Sequence, residues 1–330
     1  MTWARSLVAC DAFVGIKKDI DYSDEAWDLL AEGDLDGAMA SAQRYLDEND
    51  TSPEAYNLLG YIHAQYGDLH AALDAYETAI EFDSAYLDAM LNAGEVLLQL
   101  GDFAAAIERV DRAIETALTT DDEAESLLLK VDILVAAGRL AEANAVALDL
   151  PTGPFDSPLL DFMVGRARFE AGDHETAAIA IEQAAAGPLL DPDVFYYLGL
   201  VRESRGDLSG ATAAFLQSRE HDLERPRPYF SEPHHEFERR VQRAIRRLPA
   251  EARARLEGAL VVVDDLPGAE IVSEGADPRM AVWVDELTLT NGERLLRTFV
   301  YQLNVERLAG SAAQVDDVLG VSLSQELERV

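Results

Sequence analysis

Over most of its first 222 residues the chain repeats one pattern: a helical stretch of apolar and small residues, a glycine, then a second helical stretch. The copies GDLDGAMA at Gly33, GDLHAALD at Gly67, GDFAAAIE at Gly101, GRLAEANA at Gly138, GDHETAAI at Gly172 and GDLSGATA at Gly206 follow at spacings of 34, 34, 37, 34 and 34. An alanine stands five residues after each glycine (Ala38, Ala72, Ala106, Ala143, Ala177, Ala211), and Ala79 and Ala113 lie seven further on. Small residues also stand seven before four of the turns, at Gly60, Gly94, Gly165 and Gly199. A glycine between two helices allows the left-handed backbone that ends the first and turns the chain. Small residues on the facing sides let the two helices approach. Each hairpin leaves one face uncovered, and the next hairpin covers it. The pattern predicts stacked helical hairpins over residues 19–222, preceded by a short helical segment over 1–18. The fourth copy, around Val131 and Ala147, is the least regular and follows a three-residue insertion near Thr119–Asp122.

After Asp222 the pattern stops. Pro226, Pro228 and Pro233 in ERPRPYFSEPHH mark an extended linker over 223–234. Beyond it, over 235–330, Phe237, Val241, Ile245 and Leu248 line one face of a helix, with Arg239, Arg240, Arg243, Arg246 and Arg247 opposite. A short helix, LPAEARARLEG, comes next. ALVVVDDLP from Ala259, MAVWV from Met280 and LTLT from Leu287 read as strands. RLLRTFVYQLNVERLAG, from Arg294 to Gly310, reads as one helix. Leu295, Leu296, Phe299, Val300 and Leu303 would make one apolar face, Tyr301, Val305 and Leu308 a second, and Gly310 the C-cap. The fold class expected is an all-α solenoid followed by a small α+β domain.

Composition narrows this reading. Apolar residues make up 48% of the chain, enough for a packed core. The single cysteine, Cys10, rules out an intramolecular disulfide and fits a reducing, cytoplasmic setting. Leu7–Cys10 matches a bacterial lipoprotein box, but only MTWARS precedes it, so a short amphipathic helix is expected instead. No apolar run approaches the roughly 20 residues of a membrane span.

The net charge of −35 is uneven: −31 over residues 1–224, +5 over 225–255 and −9 over 256–330. An acidic body disfavours nucleic acid and anionic lipid and favours basic partners. The arginine-rich face reads by default as a solvated amphipathic face; a second reading docks it on the acidic repeats of its own chain, and a third, nucleic-acid binding, is disfavoured by the acidic remainder.

The array resembles tetratricopeptide repeats, whose family positions within Pro53–Tyr86 read Tyr56, Leu59, Gly60, Gly67, Ala72, Tyr76 and Ala79. The resemblance implies a right-handed superhelix whose concave groove is lined by the first helix of each repeat. Carried over, the groove positions are Asn57, Tyr61, Gln65, Asn92, Glu95, Gln99, Asp132, Arg166, Glu170, Tyr196 and Glu203. Only Arg166 among them is basic, so a clamp for a C-terminal carboxylate is not expected. A protein or peptide partner with a basic segment is.

The C-terminal part is similar to minimal zincin-like metallopeptidases. In that family the last helix carries HExxH, two histidines that grip zinc and a glutamate that serves as general base. Aligned by its flanks, this chain has Tyr301, Gln302 and Val305 at those positions. Glutamine cannot take a proton and valine has no donor atom, so the resemblance implies a domain that has lost its metal chemistry. Tyr301 and Val305 would then fill the former metal space, and a hydrogen bond would hold Gln302.

The pair His234–His235 lacks a second histidine four residues on. No phosphate-binding glycine loop and no G-x-S-x-G occurs. No metal and no cofactor are expected. The reading is a non-enzymatic bacterial scaffold whose C-terminal domain supplies a second binding surface. The alternative is a metallopeptidase with non-standard zinc ligands.

Overall fold

The computed structural model describes residues 22–288, 290, 292 and 294–329. The helix expected over 1–18, with Cys10, lies outside the described residues. The chain divides into two compact units, Met1–Ala184 and Ala185–Val330.

The first unit is built of helical hairpins: α1 (Tyr22–Glu32) with α2 (Leu35–Glu48), α3 (Pro53–Gln65) with α4 (Leu69–Phe82), α5 (Leu87–Leu100) with α6 (Phe103–Thr116), α7 (Thr120–Ala136) with α8 (Leu140–Asp149), and α9 (Pro158–Glu170) with α10 (His174–Ala186). The turn glycines adopt the left-handed backbone the sequence pattern requires, φ 80° at Gly33 and Gly67 and 79° at Gly101. The aspartate after the glycine then caps the second helix. Gly37 N–H donates to Asp34 Oδ1 at 2.9 Å, Ala71 N–H to Asp68 Oδ1 at 3.2 Å and Ala105 N–H to Asp102 Oδ1 at 3.2 Å. Stop and start signals therefore sit in adjacent residues.

The small positions are explained by the facing side chains. A Cβ on Gly60 would stand 2.5 Å from the Tyr76 ring, and one on Gly94 2.9 Å from Val110. Tyr76, Met90, Val110 and Ile133 are buried in one continuous core.

The irregular fourth hairpin has a local cause. Arg139 replaces the capping aspartate and makes no side-chain cap. Its guanidinium instead bonds Glu142 at 2.7 and 2.6 Å. The inserted residues supply the missing order one helix earlier. Thr119 and Asp122 form a reciprocal capping box at the start of α7, each backbone N–H donating to the other's side chain at 3.0 Å.

The second unit opens with the sixth hairpin, α11 (Pro192–Ser204) and α12 (Leu208–Glu224). It continues through α13 (His234–Arg247), α14 (Ala250–Arg255), β1 (Leu260–Asp264), α15 (Ala269–Ser273), β2 (Val282–Thr288), β3 (Arg294–Tyr301), α16 (Gln302–Ala309) and α17 (Val315–Arg329). The sheet order is β1-β3-β2, with β1 parallel and β2 antiparallel to the central β3. Val282, Val284 and Val300 pack with Phe237 and Val241 of α13 and with Leu319 and Leu323 of α17. This is the small α+β domain the sequence implied.

Two expectations are corrected. Residues 294–310 are not one helix: Arg294–Tyr301 is the central strand and only Gln302–Ala309 is helical. The apolar spacing fits either period, and partners on both sides decide it, since a central strand satisfies both rows of backbone groups. LTLT is not a separate strand, because β2 runs through Thr288 and the third strand is Arg294–Tyr301. Gly310 does close α16, with φ 66° and its N–H bonded to Glu306 O at 3.0 Å. Leu308, placed in an apolar stripe by the helical reading, is 60% exposed.

Candidate partner-binding surface

In the first unit the first helices of successive hairpins touch in order, α1 on α3, α3 on α5, α5 on α7 and α7 on α9. Residues 34 or 37 apart therefore stand side by side on one surface. One such row runs Tyr61, Glu95, Asp132 and Arg166, all half-buried. Tyr61 is joined by a residue outside the family-based set. Trp27 of α1 stands 5.3 Å from the Tyr61 ring at 54° and is 43% exposed. Its signal was present in the chain, since Trp27 lies 34 residues before Tyr61. The row is aromatic at one end and acidic in the middle. At the other end Arg166 Nε bonds Glu170 Oε1 at 3.2 Å. Gln65 and Gln99 are exposed near the ends of their helices.

Asn57 and Asn92 behave differently. Asn57 is 6% exposed, and its Oδ1 accepts a hydrogen bond from Asn92 Nδ2 at 2.9 Å. This buried amide pair joins adjacent repeats. Tyr86 lies beside Asn57, and burial, ahead of the nearby Asp88 and Glu54 carboxylates, pushes its phenol up to about 12.

Tyr196 and Glu203 lie on α11, in the second unit. Glu203 is exposed. Tyr196 is engaged by its own chain. Its hydroxyl donates to Asp277 Oδ2 at 3.1 Å, and the Arg279 guanidinium carbon lies 4.4 Å from its ring centre. Burial, then the Asp277 carboxylate, raise this phenol well above its ordinary value. Arg279 also pairs with Asp193 at 2.6 Å and with Asp222 at 3.1 Å. Arg307 of α16 reaches Asp222 at 3.0 Å, and Arg225 reaches Asp193 at 3.4 Å.

The arginine-rich helix finds carboxylate partners inside its own unit. Its Arg240 bonds Glu232 and Asp316 at 2.8 Å each, and Arg247 bonds Asp316 at 2.8 Å. Those carboxylates lie in the linker and on α17, close to α13 in the fold. Arg279 and Arg307, from other elements, hold the last repeat.

The three positions aligned with a zinc motif are all buried. Tyr301 is 1% exposed, and Gln302 and Val305 are 0%. Tyr301 ends β3 and Gln302 begins α16, so Tyr301 and Val305 are not successive rungs of one helix. Gln302 is held by hydrogen bonds, as expected: Nε2 donates to Glu232 O at 2.7 Å and to Glu306 Oε1 at 2.8 Å. Asn304 Nδ2 donates to the carbonyls of Pro278 and Met280 at 2.9 and 2.8 Å. These side chains tie α16 to the loop before β2 and to the linker. That tie answers why a buried helix carries polar residues there.

His234 and His235 sit in the exposed first turn of α13, 3.6 Å from Glu238 and 3.5 Å from Glu236 respectively. Among the described residues no group of three or more His, Cys, Asp or Glu side chains is placed to hold a metal ion. No helix among them is long and apolar enough to cross a membrane.

Tetratricopeptide family models agree with the hairpin geometry. Two family models described as tetratricopeptide repeat match, one over residues 63–128 and the other over 23–86 and 162–222. Those residues are tetratricopeptide repeats, and the chain is a repeat protein with a C-terminal α+β domain. Among solved structures it is similar to PilF of Pseudomonas aeruginosa, at 14% identity and a TM-score of 0.49, covering 62% of this chain and 96% of that one. It is similar to PilW, a type IV pilus biogenesis factor, at 16% identity and 0.47, covering 60% and 91%. It is also similar to YrrB, a repeat protein with an unusual peptide-binding site, at 17% identity and 0.40, covering 54% and 91%. No curated protein matches the chain.

Proposed function

We propose that this protein is an interaction scaffold that binds a protein or peptide partner through the row of first-helix side chains in its repeats. The observation carrying this reading is the Trp27–Tyr61 aromatic pair, which stands on the same row as Glu95 and Asp132. Half-exposed aromatic anchors supply contact area at low entropic cost. The adjacent carboxylates, on a chain of net charge −35, favour a ligand with a basic segment and speed its encounter. The ligand this fits is an extended peptide with an apolar or aromatic residue close to lysine or arginine. Asn57, Asn92 and Tyr196 are better read as structural: the Asn57–Asn92 amide pair joins adjacent repeats, with Asn57 6% exposed, and the Tyr196 hydroxyl donates to Asp277.

The C-terminal domain is read as a non-catalytic relative of zincin-like peptidases that serves as a second binding surface. Supporting this, no imidazole or carboxylate stands at Tyr301, Gln302 or Val305. Zinc content of protein purified without a metal-affinity tag is expected near zero. Close to one zinc per chain would reverse that reading.

The groove is tested by fluorescence polarisation of labelled dodecapeptides that vary lysine and aromatic content. Trp27→Ala and Tyr61→Ala are expected to weaken the best binders by about tenfold each, as for interface anchors. Asp132→Lys is expected to reduce the preference for basic peptides. Binders indifferent to all three changes would refute the groove assignment.

A further inference from the structure

Helix α13 turns one side to the core and the other to water. Phe237, Val241 and Ala244 are buried on the inner side. Arg239, Arg243 and Arg246 follow at steps of four and three on the outer side, so their guanidiniums form one stripe. All three are exposed. Arg253 of α14, also exposed, extends the stripe, since its guanidinium donates to Arg246 O at 3.2 Å.

Most of this stripe is left without counter-charge. Arg239 pairs with Glu236 at 3.1 Å, and the flanking Arg240 and Arg247 are taken by Glu232 and Asp316. Among the described residues no carboxylate pairs with Arg243, Arg246 or Arg253. In the same unit Arg279, Arg297 and Arg307 each reach a carboxylate. The carbonyl end of α13 accounts for cations in its last turn, Arg246 and Arg247, but Arg243 lies before that turn. On a chain with 62 acidic and 27 basic side chains, three adjacent unmatched guanidiniums are a charge that internal pairing does not use.

We propose that this stripe binds an acidic segment of another protein, whose carboxylates pair with Arg243, Arg246 and Arg253. The size of the patch selects the class of ligand. From Arg239 to Arg246 the helix rises about 10 Å, at about 1.5 Å per residue. A nucleic-acid duplex carries a charge about every 1.7 Å along its axis and would run past so short a patch, on a chain of net charge −35. A short acidic segment confines its charge to the stripe, and planar guanidiniums take carboxylates in two-point hydrogen bonds. At about 0.1 M salt, charges beyond about 10 Å are screened, so the segment meets the stripe rather than the net charge of the chain. The inference rests on the reading of the C-terminal domain as a binding surface, and gives that surface a location and a partner class.

The test uses the full chain and a capped, fluorescein-labelled decapeptide of alternating glutamate and serine, at about 0.1 M salt. The repeat groove is expected to favour basic peptides, so an acidic probe separates the two surfaces. Fluorescence polarisation is expected to show binding that Arg243→Glu and Arg246→Glu each weaken by about tenfold. Both are exposed changes, and an unchanged urea midpoint verifies folding. Arg139→Glu alters the net charge equally in the other unit and is expected to leave binding unchanged. Four results would overturn the proposal: no binding at about 1 mM peptide, binding indifferent to both reversals, equal loss in Arg139→Glu, or tighter binding of a short DNA duplex that Arg243→Glu abolishes. The last would assign the stripe to nucleic acid. With zinc near zero, any of these leaves the non-catalytic reading standing, whereas close to one zinc per chain would remove that reading itself.

Discussion

Asp222 at the end of α12 accepts a hydrogen bond from Arg279 Nε at 3.1 Å, and its side chain is 2% exposed. A buried carboxylate is tolerable only when paired, and removing one partner strands the charge. Arg279→Ala is expected to destabilise the protein by about 2 to 3 kcal/mol, less than the full loss of a buried pair, because Arg307 still reaches Asp222. Urea unfolding at neutral pH checks this. A change below about 0.5 kcal/mol would show that the pair is screened and the attachment rests on packing.

Asp193 of this cluster and Asp316 of the separate Arg240–Arg247 pairing make stability acid-sensitive. Burial works to raise the Asp193 carboxyl, but Arg279 and Arg225 outweigh it and hold it below the usual carboxylate range. Asp316 is lowered mainly by its hydrogen bond from Arg240, with Arg247 adding to it. A carboxyl whose folded pKa is depressed stabilises the fold above its unfolded value, about 3.9 for aspartate, and that stability is lost as pH falls through the folded pKa. The urea midpoint is therefore expected to hold steady down to about pH 5 and to drop below about pH 4. Asp193→Asn and Asp316→Asn should each flatten that drop. A drop of the same size in both variants would place the acid sensitivity elsewhere.

Repair of the fourth hairpin is a gain-of-stability prediction. Arg139→Asp restores the glycine–aspartate turn of the other repeats, with Glu142 placed to complete a capping box. A cap contributes about 1 kcal/mol, and the Arg139–Glu142 pair it replaces lies in water, where ion pairs contribute little. The expected readout is a rise of about 1 to 2 °C in the melting temperature. A fall would mean the arginine contributes more than its surface position suggests.

Gln302 provides a test of the buried polar tie. Gln302→Leu removes two donated hydrogen bonds and leaves Glu306, itself 1% exposed, without its nearest donor. The expected cost is about 2 to 3 kcal/mol. Gln302→Glu would set a second carboxylate against Glu306 and is expected to cost at least as much, easing at low pH. A neutral outcome for Gln302→Leu would make this amide a passenger.

The repeat architecture is written in the chain because its signals are local. A left-handed glycine and a capping aspartate act within one turn, and Gly60 and Gly94 meet side chains only sixteen residues on, Tyr76 and Val110. The row Tyr61, Glu95, Asp132 and Arg166 follows from spacing alone, and so does Trp27, once Tyr61 is traced back by one period. What the chain could not express locally was settled by tertiary pairing. Residues 294–301 carry an apolar spacing compatible with helix or strand, and β1 and β2 on either side select strand. Arg240 turned inward to Glu232 and Asp316, while Arg279 and Arg307, unremarkable in sequence, reached the last repeat. Tyr196 likewise had the spacing of a ligand contact and became a partner of Asp277. Short-range conformational preference is encoded residue by residue. Which strand finds which edge, and which charge finds which, depends on segments distant in sequence that meet only when the chain has folded.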